Sequence, residues 1–420
     1  MLYAYYGDDY TGSTDVLESL AVAGVKTALF LTPPTPQELA GFPGLQAIGI
    51  AGDSRSRSPQ WMSDHLPVVF QALKAFGASV THYKTCSTFD SAPHIGSIGR
   101  AIELGIKAFN AKFVPIIVGA PHLGRYVLFG NLFATAGQAT YRIDRHPTMS
   151  RHPVTPMHEA DLRQHLALQT AVPIGLVDLR DLTTAGLDAA QRDGAAAVLF
   201  DTFDAASLKA AGALLWDAAS LKPLFAAGSS GLTQSLIATW QHHGIIDVPS
   251  RPATAAALGQ VAVFSGSCSP VTQAQIAWGI HHGFEDVALD AVELIANPTA
   301  PLECVLRCLR TGSSPILYTS MGPLEASQAP HTEQLGLAIG KLLRAVLEQS
   351  EVRRVVLCGG DTSSHALQQL PIRALTYAAP MTPGAPLCTA HAPGTKFHGL
   401  EFVLKGGQVG PVDFFGVAKG

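Results

Sequence analysis

A chain of 420 residues exceeds the roughly 100–200 of one ordinary domain, so two domains are expected. With 47% hydrophobic and 14% charged residues it is not a disordered or solvating chain, and a net charge of -4 gives no overall basic field for nucleic acid or anionic lipid. The expected partner is a small molecule.

The opening residues lack a charged n-region and an adequate apolar h-region, and no apolar run reaches the roughly 18 residues of a membrane span. Six cysteines without a CxxC pair read as reduced thiols, so a cytoplasmic location is expected. Residues 2–6 form a buried strand that runs out into Gly7-Asp8-Asp9-Tyr10-Thr11-Gly12. A helix follows, capped by Ser13, with Asp15 in its first turn and Gly24 as its stop. Residues 25–31 read as the second strand of a βαβ unit. Further strands are expected at 47–51, 79–84, 113–118, 174–177, 196–200 and 224–227, with helices between most of them. Two prolines and small polar residues at 248–255 mark the boundary between domains 1–247 and 254–420. The second domain continues with strands at 261–264, near Val287, at 316–319 and at 355–358, and helices from Val271 and up to Gln349. This alternation gives two α/β domains, each with a mostly parallel sheet flanked by helices. Cys304 and Cys308 share one helix face, as packing rather than as metal ligands.

Chemistry is expected where apolar strands end in loops rich in Gly, Ser, Thr and Asp, because open α/β sheets bind ligands beyond the carboxyl ends of their strands. Asp8 and Asp9 stand side by side at a helix start with three hydroxyls, a costly pairing that suits a general base or a Mg²⁺-facing pair. Gly359-Gly360-Asp361-Thr362-Ser363 follows a strand and precedes a helix; paired glycines let backbone N–H groups close on phosphate, and Asp361 is placed to reach a metal. Ser265-Gly266-Ser267-Cys268-Ser269-Pro270 combines an ordinary cap with further hydroxyls, and Lys405-Gly406-Gly407 begins a glycine loop near the chain end. Arg55, Arg57, Lys84 and Arg125 put cations at strand ends in a chain poor in charge, which suits a substrate carboxylate; His122 lies in the same Arg125 loop. The loop from Gly119 to Arg125 lacks the Lys and Ser/Thr of a phosphate-binding P-loop, and there is no GxGxxG, HExxH or GxSxG.

In this order the segments resemble the four-carbon acid sugar kinase family, long known as a domain of unknown function. The resemblance rests on Asp8-Asp9-Tyr10-Thr11-Gly12, Gly228-Ser229-Ser230-Gly231-Leu232, Ser265-Gly266-Ser267-Cys268-Ser269, Gly359-Gly360-Asp361-Thr362-Ser363 and the terminal segment 405–415. It implies ATP-dependent phosphorylation of a hydroxyl on a short acid sugar, with the sugar on the N-terminal domain, ATP on the C-terminal one and the active site in the cleft between them. It further implies that Ser265, Ser267, Gly359, Gly360, Asp361, Thr362, Ser363, Gly406 and Gly407 face ATP and its Mg²⁺, with Asp361 toward the metal. Asp8, Arg55 and Lys84, joined by Thr11, Ser87, His122 and Arg125, would face the substrate. Asp9 is the expected base, with Asp8 left open as the alternative. Relatives acting on linear tetronates carry Asp-Ser-Thr-x-Arg-Gly-Asn after the Lys, whereas here Thr85-Cys86-Ser87-Thr88-Phe89-Asp90-Ser91-Ala92-Pro93 follows Lys84. The missing Arg and Asn point to the branch resembling 3-oxo-isoapionate kinase, with 3-oxo-tetronate, D-threonate or D-erythronate as alternative substrates. Outside the kinases, an acid-sugar dehydrogenase or lyase, or a two-lobed sensor without activity, would explain the basic groups but not the two glycine loops. The oligomeric state stays open, a homodimer included.

Overall fold

In the computed structural model, which describes residues 1–152, 154–247, 254–322 and 332–420, the apolar runs become strands buried on both faces, as parallel sheets covered by helices require. The boundary expected at 248–255 falls mostly on residues 248–253, which lie outside the described residues. Packing divides the chain into two units: Met1–Asp8, Ser19–Thr27 and Ala40–Pro249 form the first, and Asp9–Glu18, Ala28–Leu39 and Ser250–Gly420 the second.

The chain begins β1 (Tyr3–Gly7), α1 (Tyr10–Val22), β2 (Thr27–Phe30), α2 (Pro36–Ala40), β3 (Ala47–Ala51), α3 (Pro59–Ala75), β4 (Val80–Lys84), α4 (Ile98–Phe109) and β5 (Val114–Ile117). It continues β6 (Arg125–Leu128), β7 (Asn131–Ala136), β8 (Ala139–Arg142), α5 (Leu162–Ala167), β9 (Ile174–Val177), α6 (Thr184–Arg192), β10 (Ala197–Phe200), α7 (Ala205–Leu221), β11 (Leu224–Gly228) and α8 (Ser230–His242). The main sheet of the first unit is parallel, in the order β3-β1-β4-β11-β5-β10-β9. Gly7 stands opposite both Ala51 and Lys84, and Gly228 opposite Lys84 and Ile117, so these strands end level and their loops emerge at one edge. β1 is the switch point, with β3 on one side and β4 on the other, the place where such sheets hold ligands. A small antiparallel sheet, β6-β7-β8, was not expected from the sequence. Every residue of β8 is exposed, so no apolar alternation announces it.

The second unit adds β12 (Ala262–Ser265), α9 (Pro270–His281), β13 (Glu285–Ala288), α10 (Ala291–Ala296), α11 (Leu302–Arg310), β14 (Pro315–Tyr318) and α12 (Thr332–Gln349). It ends with β15 (Arg354–Cys358), α13 (Gly360–Leu367), β16 (Ala374–Thr382), β17 (Ala385–His391), β18 (Glu401–Lys405) and α14 (Phe414–Lys419). Its sheet runs β13-β14-β12-β15-β18-β17-β16-β2, parallel over the first five strands and antiparallel beyond. The strand, helix and strand that open the chain form as expected, but β2 does not pair with β1: Leu29 and Phe30 of β2 pair with Leu375 and Ala374, while the neighbours of β1 are β3 and β4. Val263, Val356, Val403, Phe414 and Phe415 share one core. Arg354 is wholly buried in this unit but satisfied, by Glu401 at 2.7 Å and by the carbonyls of Ala418 and Ala256 at 2.7 and 2.8 Å. Ser269 caps α9 with Pro270 at its first position, as the sequence indicates.

Candidate active site

The acidic loop after β1 folds differently from expectation at its cap. Asp9, not Ser13, starts α1: its Oδ1 accepts the Gly12 N–H at 2.7 Å and its Oδ2 the Thr11 hydroxyl at 2.8 Å. Ser13 lies inside the helix, fully buried, and gives its hydroxyl to the Asp9 carbonyl at 2.6 Å. Asp15 consequently falls outside the first turn. A carboxylate three residues upstream satisfies the helix N–H better than a hydroxyl, and the two donors fix both of its oxygens. The buried carboxylate is held in one orientation, as a base needs.

Within the second unit, three parallel strands finish level, Ser265 opposite Cys358 and Cys358 opposite Lys405, so the loops after them meet. The spacing is tight. A Cβ at Gly266 would stand 2.3 Å from Thr362 Oγ1, one at Gly359 3.6 Å from Ser267 Cα, and one at Gly407 2.7 Å from Ser267 Oγ. Gly359 adopts φ 108 and starts α13 without a side-chain cap, so no capping side chain takes up the first N–H groups of the helix. The same unit brings in Asp9: a Cβ on Gly360 would lie 3.2 Å from Asp9 Oδ2 and 3.7 Å from Thr11 Oγ1. The Tyr10 N–H reaches Ser364 Oγ at 3.4 Å, and Ser364 donates in turn to the Gly360 carbonyl at 2.9 Å. Asp361 is half-buried in the first turn of α13. Ser363 is fully buried and turns its hydroxyl back to the Leu357 carbonyl at 3.3 Å, which spends it on the fold.

Lys405 completes this region, and sequence reasoning gave it no role. Its buried Nζ donates to Thr272 Oγ1 and the Gly406 carbonyl, both at 3.1 Å, and to the Val409 carbonyl at 3.3 Å. Burial holds its pKa below the usual lysine value. Thr272 donates to the Gly407 carbonyl, and Gln275 Nε2 to the carbonyls of Val409, Gly410 and Pro411, so the terminal glycine loop is lashed to α9.

In the first unit, Asp8, Arg55 and Lys84 come together through the backbone: Asp8 N–H donates to the Lys84 carbonyl at 2.9 Å and Arg55 N–H to the Asp8 carbonyl at 3.1 Å. Asp8 and Lys84 are each 3% exposed. Arg55 is flanked by Asp90, which no sequence motif marks. Arg55 Nη2 lies 3.6 Å from its Oδ1, which also accepts the Thr88 hydroxyl at 2.5 Å, while Oδ2 accepts that of Thr155 at 3.2 Å. Burial opposes the charge, but Arg55, His152 and the Thr88 hydroxyl outweigh it and hold the Asp90 carboxyl below the usual range. Arg57 is committed elsewhere, paired to Asp53 at 2.6 Å and lying over Trp61. His122 is exposed on the short turn after β5; Arg125 donates to the Leu123 carbonyl of that same turn. Ser87 is half-buried in the turn after β4. Among the described residues no three His, Cys, Asp or Glu side chains gather as a metal cage, and no helix is long and apolar enough to cross a membrane.

Two family models match the chain, a sugar-binding N-terminal domain over residues 3–236 and a nucleotide-binding C-terminal domain over residues 262–415. The 3-oxo-isoapionate kinase of Paraburkholderia graminis is 45% identical, over 100% of this chain and 94% of that protein. A 3-oxo-tetronate kinase of Methylobacterium radiotolerans is 31% identical over 98% of this chain and 97% of its own length. Among solved structures, a Salmonella typhimurium LT2 protein described provisionally as a tRNA synthase superposes with a TM-score of 0.76 at 26% identity, covering 100% of this chain and 98% of that one. With the first model spanning more than half of its residues and a relative 45% identical along its whole length, the chain belongs to the four-carbon acid sugar kinase family, in which a sugar-binding domain precedes a nucleotide-binding one.

Proposed function

We propose that this protein is an ATP-dependent kinase that phosphorylates a hydroxyl of a short oxo acid sugar, converting 3-oxo-isoapionate to 3-oxo-isoapionate 4-phosphate. The observation that carries the reading is the approach of the glycine loop before α13 to the oriented Asp9 carboxylate, 3.2 Å from a Cβ position on Gly360. Residues 1–247 provide the acid-sugar side, with Asp8, Arg55 and Lys84 as its charged groups and Thr11, Ser87, His122 and Arg125 as further candidates. Residues 254–420 provide the ATP side through Ser265, Ser267, Gly359, Gly360, Thr362, Gly406 and Gly407. Asp9 takes the proton of the attacking hydroxyl, the new O–P bond forms at the γ-phosphorus, the bond to the β,γ-bridging oxygen breaks, and ADP leaves. Mg²⁺ supplies charge neutralisation on the phosphates. One half-buried carboxylate, Asp361, fits an ion held mainly by the nucleotide, since Mg²⁺ commonly takes one or two protein carboxylates and keeps the phosphates and waters as its other ligands.

The substrate assignment is supported by the 45% identical relative and by the segment Thr85 to Pro93 after Lys84, which lacks the Arg and Asn of the linear-tetronate pattern. The 31% identical relative favours 3-oxo-tetronate as the second reading, with D-threonate and D-erythronate behind it. The test is ADP release from Mg-ATP with a panel of branched and linear acid sugars. Turnover greatest on 3-oxo-isoapionate is expected; preference for a linear tetronate would reassign the substrate, and no turnover on any would overturn the kinase reading.

A further inference from the structure

Between β11 and α8, the residues of the Gly-Ser-Ser-Gly-Leu turn divide sharply by what they do. Gly228 has φ 152, and a Cβ there would stand 1.9 Å from the Ile117 carbonyl oxygen; one on Gly231 would stand 1.9 Å from that of Gly119. Both glycines are therefore dictated by the end of β5. Ser229 caps α8: its hydroxyl donates to the Val118 carbonyl at 2.6 Å and accepts the Gly231 N–H at 3.0 Å. The Gly228 carbonyl is also committed, receiving the Thr85 N–H at 2.6 Å and His82 Nε2 at 3.0 Å. Ser230 alone is unspent. It is 0% exposed and its Oγ has no hydrogen-bond partner among the described residues. As the first residue of α8, it also carries an N–H that has no acceptor within the helix. A buried hydroxyl left without a partner is destabilising, a cost that a fold does not carry for nothing at a position that Ala would fill. On the neighbouring strand, the buried Lys84 ends β4 in register with Gly228, two residues before Ser230.

We propose that Ser230, through its hydroxyl and its N–H at the mouth of α8, receives the carboxylate of the acid sugar with Lys84 as the counter-charge. The inference rests on the kinase reading and assigns the end of the substrate remote from the phosphorylated hydroxyl. Two donors and a cation match a carboxylate's two oxygens and single charge, and the helix dipole favours an anion at this terminus. Because the hydroxyl is shielded from bulk water, an acid seated there is stripped of water on this side, and the bonds to it strengthen accordingly.

Two measurements test it. Ser230→Ala in the full chain should raise KM for the acid sugar about 10- to 100-fold, the loss of a hydrogen bond to a charged group, with kcat and KM for ATP unchanged. The ligand-free variant should melt no lower than the wild type, because an unsatisfied hydroxyl has been removed, while the acid sugar's thermal shift is lost. An analogue with a carboxamide in place of the carboxylate should be discriminated against strongly by the wild type and much less by Ser230→Ala; Ser230→Thr, which keeps a hydroxyl, should restore part of that discrimination. Unchanged KM and discrimination in Ser230→Ala would overturn the proposal, as would a lowered melting point with discrimination intact or a KM effect confined to ATP. A wild type that neither turns over nor binds any acid sugar would instead overturn the kinase reading itself.

Discussion

Asp9 is held by two short hydrogen bonds, from Thr11 and from the Gly12 N–H, that fix its carboxylate. Asp9→Asn keeps the shape and removes the proton acceptor. Turnover should fall roughly 10²–10⁴-fold, as loss of a general base does, while calorimetry finds the nucleotide Kd unchanged. Normal kcat in that variant, with loss in Asp8→Asn, would move the role one residue back. The acid pair is legible in the sequence, but that Asp9 rather than Ser13 caps α1 is not, because the choice between two capping residues depends on which bond wins in three dimensions. Asp90 escaped notice for a related reason. Its significance comes from Arg55, Thr88, His152 and Thr155 around it, and no local pattern relates position 152 to position 90.

At the scale of elements, the glycine loop before α13 has room for hydrogen at Gly360 and little else, given Asp9 Oδ2 at 3.2 Å from a Cβ. Gly360→Val should weaken ATP binding, measurable by fluorescence titration, and lower kcat as well by displacing Asp9; unchanged affinity would count against the loop as the phosphate cradle. Helix α1 meets the β16-β17 turn through Glu18, which accepts the Gly384 N–H at 2.9 Å. Burial, abetted by Asp15 and opposed by that N–H, pushes the Glu18 pKa from an ordinary 4.5 up to about 7. The native state therefore holds a proton that the unfolded chain has released, so this contribution to stability is full below about pH 4.5 and is lost as pH rises toward 7. Glu18→Gln should remove that decline, and its advantage in melting temperature over the wild type should grow from pH 5 to pH 8. The parallel strands were legible because strands buried on both faces read as continuous apolar runs. The β16-β17 hairpin was not: it carries two register shifts, and residues 376–378 are only half-buried, which blurs both apolar continuity and alternation.

Asp9–Glu18 and Ala28–Leu39 belong to the second unit although more than 200 residues separate them from the rest of it. A fragment of residues 254–420 would lack β2, the pairing partner of Ala374 and Leu375, and the carboxylate that meets Gly384. Expressed alone, it should be insoluble or unfolded by circular dichroism, and adding residues 1–247 in trans should recover it; a stable fragment that binds ATP unaided would show these segments to be dispensable. Synthesis gives the same feature a cost in time. At about 5–20 residues per second, β2 leaves the ribosome tens of seconds before β16 exists to pair with it, so a nascent chain must carry an apolar strand with an open edge through most of its own translation.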